Sequence, residues 1–470
     1  MQYLDRLRGY YVRAPRWVHS TGGLVLSALP PKLLYGRTFR EVQADVERSE
    51  WDAAFVEQRV RSSLATLWEH ARVTTYYREL VESAHVDKLT PETLDRLPIL
   101  EKETVKRRAR DMLSKPLAEM DEVSTGGTSS MIPLTFYLDK NRSVREWAFL
   151  THVWQRCGYE LGDRLAVLGY RGVTHVSKPS SVPWSWEPGT RELRLSPMRM
   201  VPPVMDEYLA QIRRFRINFI YGYPSAIAIL AAHAADAGWS RPPAFKGILL
   251  MSESIRPFQR QLIRDGFGDV SVMAGYGLSE KVAIAGEIPG EPDVYEFEPL
   301  YGLVELVDET GAVINEPGKQ GRLIGTGFVS LGMPMIRYDT GDLAVAVRHP
   351  AAENCWRLRV RNITSRHCQD YLVTREGGLI AHTVLYPHNT FVRECQFIQE
   401  QPGVALLRVV LAPGADPAQL ATLQRKIEDR ADGLMSVQLE AVAEIPLTPR
   451  GKRVLVDQRL DLRRYGHVDG

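Results

Sequence analysis

Several things are scarce in this chain, and each scarcity removes a class of protein. Cysteine is the first: Cys157, Cys355, Cys368 and Cys395 are the only 4 in 470 residues. None forms a CxxC pair, so neither a zinc-ligand spacing nor a disulfide framework is available, and a reducing, cytoplasmic setting is expected. An excess of one charge is also missing. Lys and Arg total 59 against 57 Asp and Glu, a net charge of +2, which lacks the clustered basic footprint of a nucleic-acid binder. Long apolar runs are absent too. The most apolar early stretch, 22–34, is short and carries Pro30 and Pro31, so it reads as a loop on the core and no transmembrane segment is expected. The opening MQYLDRLRGYY places charges where a secretory leader needs apolar residues. The Walker pattern GxxxxGK[ST] does not occur.

What is present is an ordinary folded composition, 44% hydrophobic and 25% charged, in a chain too long for one core. Apolar residues at helical spacing (Val56, Val60, Leu64, Leu67) predict a helix within 51–73, and residues 1–115 read mainly as helix. A further helix is expected from near Leu100 through Val105. Its basic cluster, Lys102, Lys106, Arg107, Arg108 and Arg110, reads as a solvated face. From about 120 strands and helices alternate: a helix over 206–215, a strand over 217–221, and a helix opened by Pro224 and ended by Gly238. A strand over 247–251, a helix over 259–264 and a strand over 270–273 follow. This order predicts parallel strands with helices on their faces, and ligands collect beyond the carboxyl ends of such strands. Tyr221, Ser252, Glu253 and Tyr276 stand there. Residues 295–350 read as a small antiparallel region, and those after about 366 as a separate α+β domain of about a hundred residues.

Four short motifs carry chemistry, although each by itself reads as a turn. Ser124-Thr125-Gly126-Gly127-Thr128-Ser129-Ser130 offers hydroxyls and glycine backbone that can cradle phosphate oxygens. In Ala274-Gly275-Tyr276-Gly277-Leu278-Ser279-Glu280, Tyr276 can stack on a base and Glu280 can hold Mg2+. In Arg337-Tyr338-Asp339-Thr340-Gly341-Asp342, the Asp342 carboxylate can accept from both hydroxyls of a ribose. The last, Ile445-Pro446-Leu447-Thr448-Pro449-Arg450-Gly451-Lys452, ends on a lysine near the chain end.

Taken in order, the four resemble the adenylate-forming superfamily of acyl-CoA synthetases and adenylation domains. The branch they resemble most is the phenylacetate–CoA ligase-like, or CapK-like, proteins. Leu34 to Phe39, Thr75 to Arg78, Leu97 to Leu100, Met333 to Tyr338, Gln369 to Tyr371 and Gln396 to Gln399 extend the likeness over nearly the whole chain. The resemblance implies an α/β fold: a large N-terminal domain, 1–365, of mixed, largely parallel sheets flanked by helices plus a small β region. A small, mobile α+β domain, 366–470, would follow and carry Lys452. It implies ATP, Mg2+ and CoA as cofactor and co-substrates, a small carboxylic acid as substrate, and a monomer or homodimer. Thr125, Gly126, Gly127, Thr128 and Ser129 would contact phosphates; Tyr276 would lie by the adenine, with Gly277 and Ser279 also binding the nucleotide; Glu280 would ligate Mg2+. Asp342 and Arg366 would approach the ribose, and Lys452 would contact the carboxylate and α-phosphate. By strand position, Tyr221, Tyr223, Ser252, Glu253, Ala274 and Gly275 would lie near the acyl group. Trp147, Trp184 and Trp186 read as packing residues.

The chain also departs from the pattern. The phosphate loop lacks the lysine common in the wider superfamily, Ser130 and Ser365 replace expected glycines, and His367-Cys368 adds a residue before Gln369. Two alternatives therefore stay open: transfer of the activated acyl group to an amine, and a degenerate nucleotide or acyl binder.

Overall fold

The computed structural model describes residues 35–124, 134–169, 183–197, 200–253, 255, 257–348, 356–365, 371–385, 391–411, 415–416, 418–445 and 456–461. In chain order the first elements are helices α1 (Gly36–Ser49), α2 (Ala53–Ala71), α3 (Thr75–Ala84) and α4 (Lys102–Arg108), then strands β1 (Met120–Ser124) and β2 (Thr135–Asp139), and helix α5 (Arg142–Gln155). Next come β3 (Leu165–Leu168), β4 (Trp184–Glu187), β5 (Glu192–Leu195), α6 (Pro202–Arg214), β6 (Phe219–Gly222), α7 (Pro224–Asp236), β7 (Gly247–Leu250) and α8 (Pro257–Phe267). Strands β8 (Ser271–Gly277), β9 (Ile284–Ile288), β10 (Glu291–Phe297), β11 (Gly302–Val307), β12 (Gln320–Gly327), β13 (Tyr338–Ala346) and β14 (Arg359–Ser365) follow. The last elements are β15 (Tyr371–Val373), β16 (Leu379–Ala381), α9 (His382–Leu385), β17 (Val392–Gln401), β18 (Val404–Leu411), α10 (Gln419–Ala431), β19 (Ser436–Ala441) and β20 (Val456–Gln458).

The chain divides into two compact units, 1–125 with 134–162 and 272–366, and 126–133 with 163–271 and 367–470. In the first, α2 forms where the periodicity predicts. Val56, Val60, Leu64 and Leu67 are buried along one face, and the Asp52 carboxylate caps the helix by accepting from Phe55 N at 2.9 Å. Strands β8 to β14 make an antiparallel array in the order β11-β12-β13-β14-β10-β9-β8. This region is larger than the sequence pattern suggests, because β8 and β9 join it at one edge and β14 inserts between β13 and β10. Strands β1 and β2 form a hairpin whose connection is the stretch 125–133.

In the second unit β3, β5, β6 and β7 pair in parallel, with β4 antiparallel at the edge. The expected β-α-β alternation is present, with boundaries shifted by a few residues. Helices α7 and α8 approach so closely that a Cβ at Gly266 would sit 2.0 Å from the Ala231 carbonyl oxygen, a contact only glycine permits. Residues 372–456 have a core of their own, in which Leu372, Phe397, Leu407, Val409, Leu423 and Ile427 are buried together. Its sheet runs β19-β18-β17-β20, antiparallel in the centre and parallel at both flanks. Among the described residues no helix is long and apolar enough to cross a membrane.

Candidate active site

Two of the four motifs are described, and both lie in the first unit. The second motif is the end of β8 and the turn after it. Within that turn Lys281 N donates to the Leu278 carbonyl at 3.2 Å, and Lys281 itself takes a left-handed φ of 62°. The Lys281 ammonium is drawn away into an ion pair with Glu146 of α5. Glu280, one residue earlier, is turned inward and is only 5% exposed.

The third motif opens β13, and a buried arginine fixes where it begins. Arg337 is 3% exposed and forks onto Glu305, with Nε to Oε2 at 3.1 Å and Nη2 to Oε1 at 3.0 Å. Its Nη1 also donates to the carbonyls of Asp95 and Leu97 at 3.1 and 2.9 Å. Burial pushes the Glu305 carboxyl up, and the Arg337 charge only partly opposes it. Beyond Arg337, Gly341 N donates to Asp339 Oδ1 at 2.9 Å and Asp342 N to Thr340 Oγ1 at 3.1 Å, within β13 where its register against β12 shifts between Asp339 and Leu343. Gly341 has φ +80°, and a Cβ there would lie 3.3 Å from Lys102 Nζ, which explains the glycine.

The two motifs are tied by a reciprocal pair of hydrogen bonds. Tyr276 of the second motif donates its hydroxyl to Asp342 Oδ2 of the third at 2.7 Å. Tyr338 of the third donates to Glu280 Oε1 of the second, also at 2.7 Å. Burial pushes both phenols well above the usual tyrosine range, and the Asp342 and Glu280 carboxylates push them further, so both remain protonated donors. The Tyr276 ring packs edge-on against Phe297, with centroids 5.6 Å apart. Tyr338 is fully buried, and among the described residues its hydroxyl is the one hydrogen-bond partner of Glu280.

A buried carboxylate facing no cation is costly, and one neutral hydrogen bond offsets little of that. Glu280 therefore suits a bound cation, and its remaining oxygen, unpartnered among the described residues, is the atom that would meet one. A second acidic group, Glu50, His152 and Glu298, also brings ligand atoms within 4.8 Å of one another. Guanidinium groups already fill it: Arg156 Nη2 lies 2.5 Å and Arg357 Nη1 3.1 Å from Glu298. That cluster is an ion-pair network and does not suit a metal.

The other expected site residues separate into three groups. Tyr221, Tyr223, Ser252 and Glu253 belong to the second unit. The parallel register Gly222↔Leu250 sets Tyr223 and Ser252 just beyond the carboxyl ends of neighbouring strands, and Ser252 has φ 72°. Ala274 and Gly275 lie in β8 of the first unit, where Ala274 N donates to Glu287 Oε2 at 2.8 Å; Gly277 ends the strand, and Ser279 is exposed in the turn after it. Thr125, Gly126, Gly127, Thr128, Ser129, Arg366 and Lys452 lie outside the described residues. Asp342 pairs in register with Ser365, so the described part of β14 stops one residue before Arg366. The tryptophans pack as expected. Trp147 meets Trp154 edge-on at 5.2 Å, Trp186 stacks on Phe215 at 4.5 Å, and Trp184 Nε1 donates to Glu207 at 2.6 Å. Tyr338 is the residue the motif reading passed over. Its signal was available: a tyrosine opening a strand, four residues before the carboxylate expected to bind ribose.

The model of the CapK C-terminal domain matches residues 372–458. Residues 372–458 thus carry a likeness to the CapK C-terminal domain, and the chain shares its fold with a solved CoA ligase. Protein CapK of Staphylococcus aureus is 22% identical over 387 residues, which cover 80% of this chain and 83% of that protein. A 2-hydroxyisobutyryl-CoA ligase solved with 2-HIB-AMP and CoA in the thioesterification state superposes with a TM-score of 0.52. It is 19% identical, over 87% of this chain and 90% of that one. An open conformation of the same ligase, also with 2-HIB-AMP and CoA, gives a TM-score of 0.51 at 18% identity, over 86% and 90% of the chains.

Proposed function

We propose that this protein activates a small carboxylic acid with ATP, forming an acyl-adenylate and pyrophosphate, and then passes the acyl group to CoA. The observation that carries the reading is Glu280: a buried carboxylate held by Tyr338, with no cation among the described residues, tied through Tyr276 to the carboxylate expected to bind ribose. The order of the four motifs and the acyl-AMP and CoA held by the structurally similar ligase support it.

Attack of a carboxylate on the α-phosphorus brings two anions together. The chemistry therefore rests on positioning and on charge neutralisation. In this reading Glu280 holds Mg2+, which would supply charge neutralisation at the phosphates. Asp342 accepts from the ribose, and the Tyr276 hydroxyl fixes that carboxylate's orientation. Thr125 to Ser129 donate to the phosphate oxygens, Arg366 approaches the ribose, and Lys452 brings one compact cation to the reacting carboxylate and α-phosphate. Residues 366–470 act as a lid that carries Lys452 in for adenylation and away for transfer. The acyl group lies near Tyr221, Tyr223, Ser252, Glu253, Ala274 and Gly275.

ATP–pyrophosphate exchange over a panel of aryl, hydroxy, fatty and sugar acids tests the reading, followed by mass spectrometry with CoA and with hydroxylamine. Exchange with at least one acid and a CoA thioester are expected. Lys452→Ala should slow exchange by roughly 100-fold, the scale of losing a preorganised donor. No exchange with any acid overturns the activity, hydroxamate without thioester overturns CoA as acceptor, and exchange by Lys452→Ala within a few-fold of wild type removes the lysine from the chemistry.

A further inference from the structure

Glu280 and Asp342 do not stand alone. Each receives a hydrogen bond from a tyrosine of the other's motif, at 2.7 Å in both cases. The chain could have closed this space with apolar side chains, yet it buries a carboxylate at 5% exposure beside a tyrosine at 0%. The nearest basic residue in sequence, Lys281, is committed to Glu146. The Glu280 carboxylate thus has one oxygen fixed by a neutral donor, while its charge stays uncompensated among the described residues. That pattern is poor for stability. It is the arrangement that orients a metal-ligating carboxylate, since donors on one oxygen set the direction in which the other presents its lone pairs.

We propose that Tyr338 is a positioning residue for the cation site: its hydroxyl holds Glu280 Oε1 so that the other oxygen is presented to a divalent cation accompanying the nucleotide. The inference rests on the adenylating function proposed above. It assigns Tyr338 no contact with substrate and no proton transfer. Because the Tyr338 hydroxyl bonds Glu280 while Asp342 takes its tyrosine bond from Tyr276, it also predicts that loss of the Tyr338 phenol acts on cation affinity and leaves nucleotide affinity alone.

The test is a Mn2+ titration followed by electron paramagnetic resonance, with protein saturated in α,β-methylene-ATP. Nucleotide affinity is measured separately in EDTA. Tyr338→Phe keeps the ring and removes the donor; the Mn2+ dissociation constant should rise 10-fold or more, the range for loss of such an outer partner. Nucleotide affinity in EDTA should stay within about two-fold. Glu280→Gln should abolish the tight Mn2+ site. In that background Tyr338→Phe should cause no further loss, because the two act as one unit. Tyr338→His, which retains a ring-borne donor, should recover part of the affinity and provides the answer should the Phe variant fail to fold. An unchanged Mn2+ constant in Tyr338→Phe beside a lost site in Glu280→Gln overturns the positioning role alone. Tight Mn2+ binding retained in Glu280→Gln overturns the cation assignment itself and this inference with it. An equal fall in Mn2+ and nucleotide affinity in Tyr338→Phe marks the tyrosine as structural and overturns the proposal.

Discussion

Replacing Arg337 with alanine should be among the most damaging single changes in the first unit. The guanidinium forks onto Glu305 at 3.0 and 3.1 Å and donates to the carbonyls of Asp95 and Leu97 at 3.1 and 2.9 Å, all with the side chain 4% exposed. Removing one member of a buried pair costs about 3–5 kcal/mol, and each stranded carbonyl adds about 1 kcal/mol or more. The two losses overlap. The Glu305 carboxyl is already raised by burial and would take up a proton once its partner is gone, which limits the penalty. About 4 kcal/mol is the net expectation. At roughly 2–4 °C per kcal/mol for a unit of this size, differential scanning calorimetry should show its transition fall by about 8–16 °C. Lysine should not rescue it, since a point charge cannot bridge a carboxylate and two carbonyls in different directions. Exchanging both partners, Arg337→Met with Glu305→Leu, should recover about half the loss or more. A fall of less than about 3 °C in Arg337→Ala, or a double variant worse than the single, would refute the view that this pair fixes the start of β13.

Gln399 offers a second test, in the C-terminal core. It is fully buried and behaves as a surrogate strand for Val373, accepting from its N–H and donating to its carbonyl, both at 2.7 Å. Gln399→Leu strands both groups at about 1–3 kcal/mol each, so hydrogen-exchange protection of the Val373 amide should drop by about 100-fold; protection within three-fold of wild type would count against it. Acid stability gives a third. Burial alone raises the Glu50 carboxyl, but its hydrogen bond to His152 and the charges of Arg357 and Arg156 outweigh that and hold it at about 2. A depressed carboxyl stabilises the fold above its unfolded value and loses that contribution as pH falls through the folded one. Wild type should therefore lose stability between about pH 4.5 and 2 relative to Glu50→Gln. The difference should be on the order of 1 kcal/mol after allowing for the 40% exposure of the side chain. Parallel acid-denaturation curves for the two proteins would remove Glu50 from the network's stabilising role.

How much of this was legible in the sequence depends on the range of the interaction. Helix α2 was readable because its signal is local: apolar residues at 56, 60, 64 and 67 and an Asp at 52 to cap them. The parallel strands were readable because Pro224 and Gly238 punctuate a helix between two β-rich runs. The extent of the antiparallel array was not. The pairing of β10 with β14 joins Val294 to Arg361 across β11 to β13, and no local pattern encodes a contact that distant. The site shows the same division. The chemistry of Glu280 and Asp342 could be named from residue type and motif, but their relation could not, because Tyr276 reaches Asp342 across 66 positions and Tyr338 reaches Glu280 across 58. What the fold adds is therefore specific: it makes two separate motifs into one device, in which each carboxylate receives a hydrogen bond from the other motif's tyrosine. Loss of either tyrosine's hydroxyl should then be felt at the carboxylate of the other motif. That coupling is the property by which this arrangement can be told from two independent motifs that happen to lie side by side.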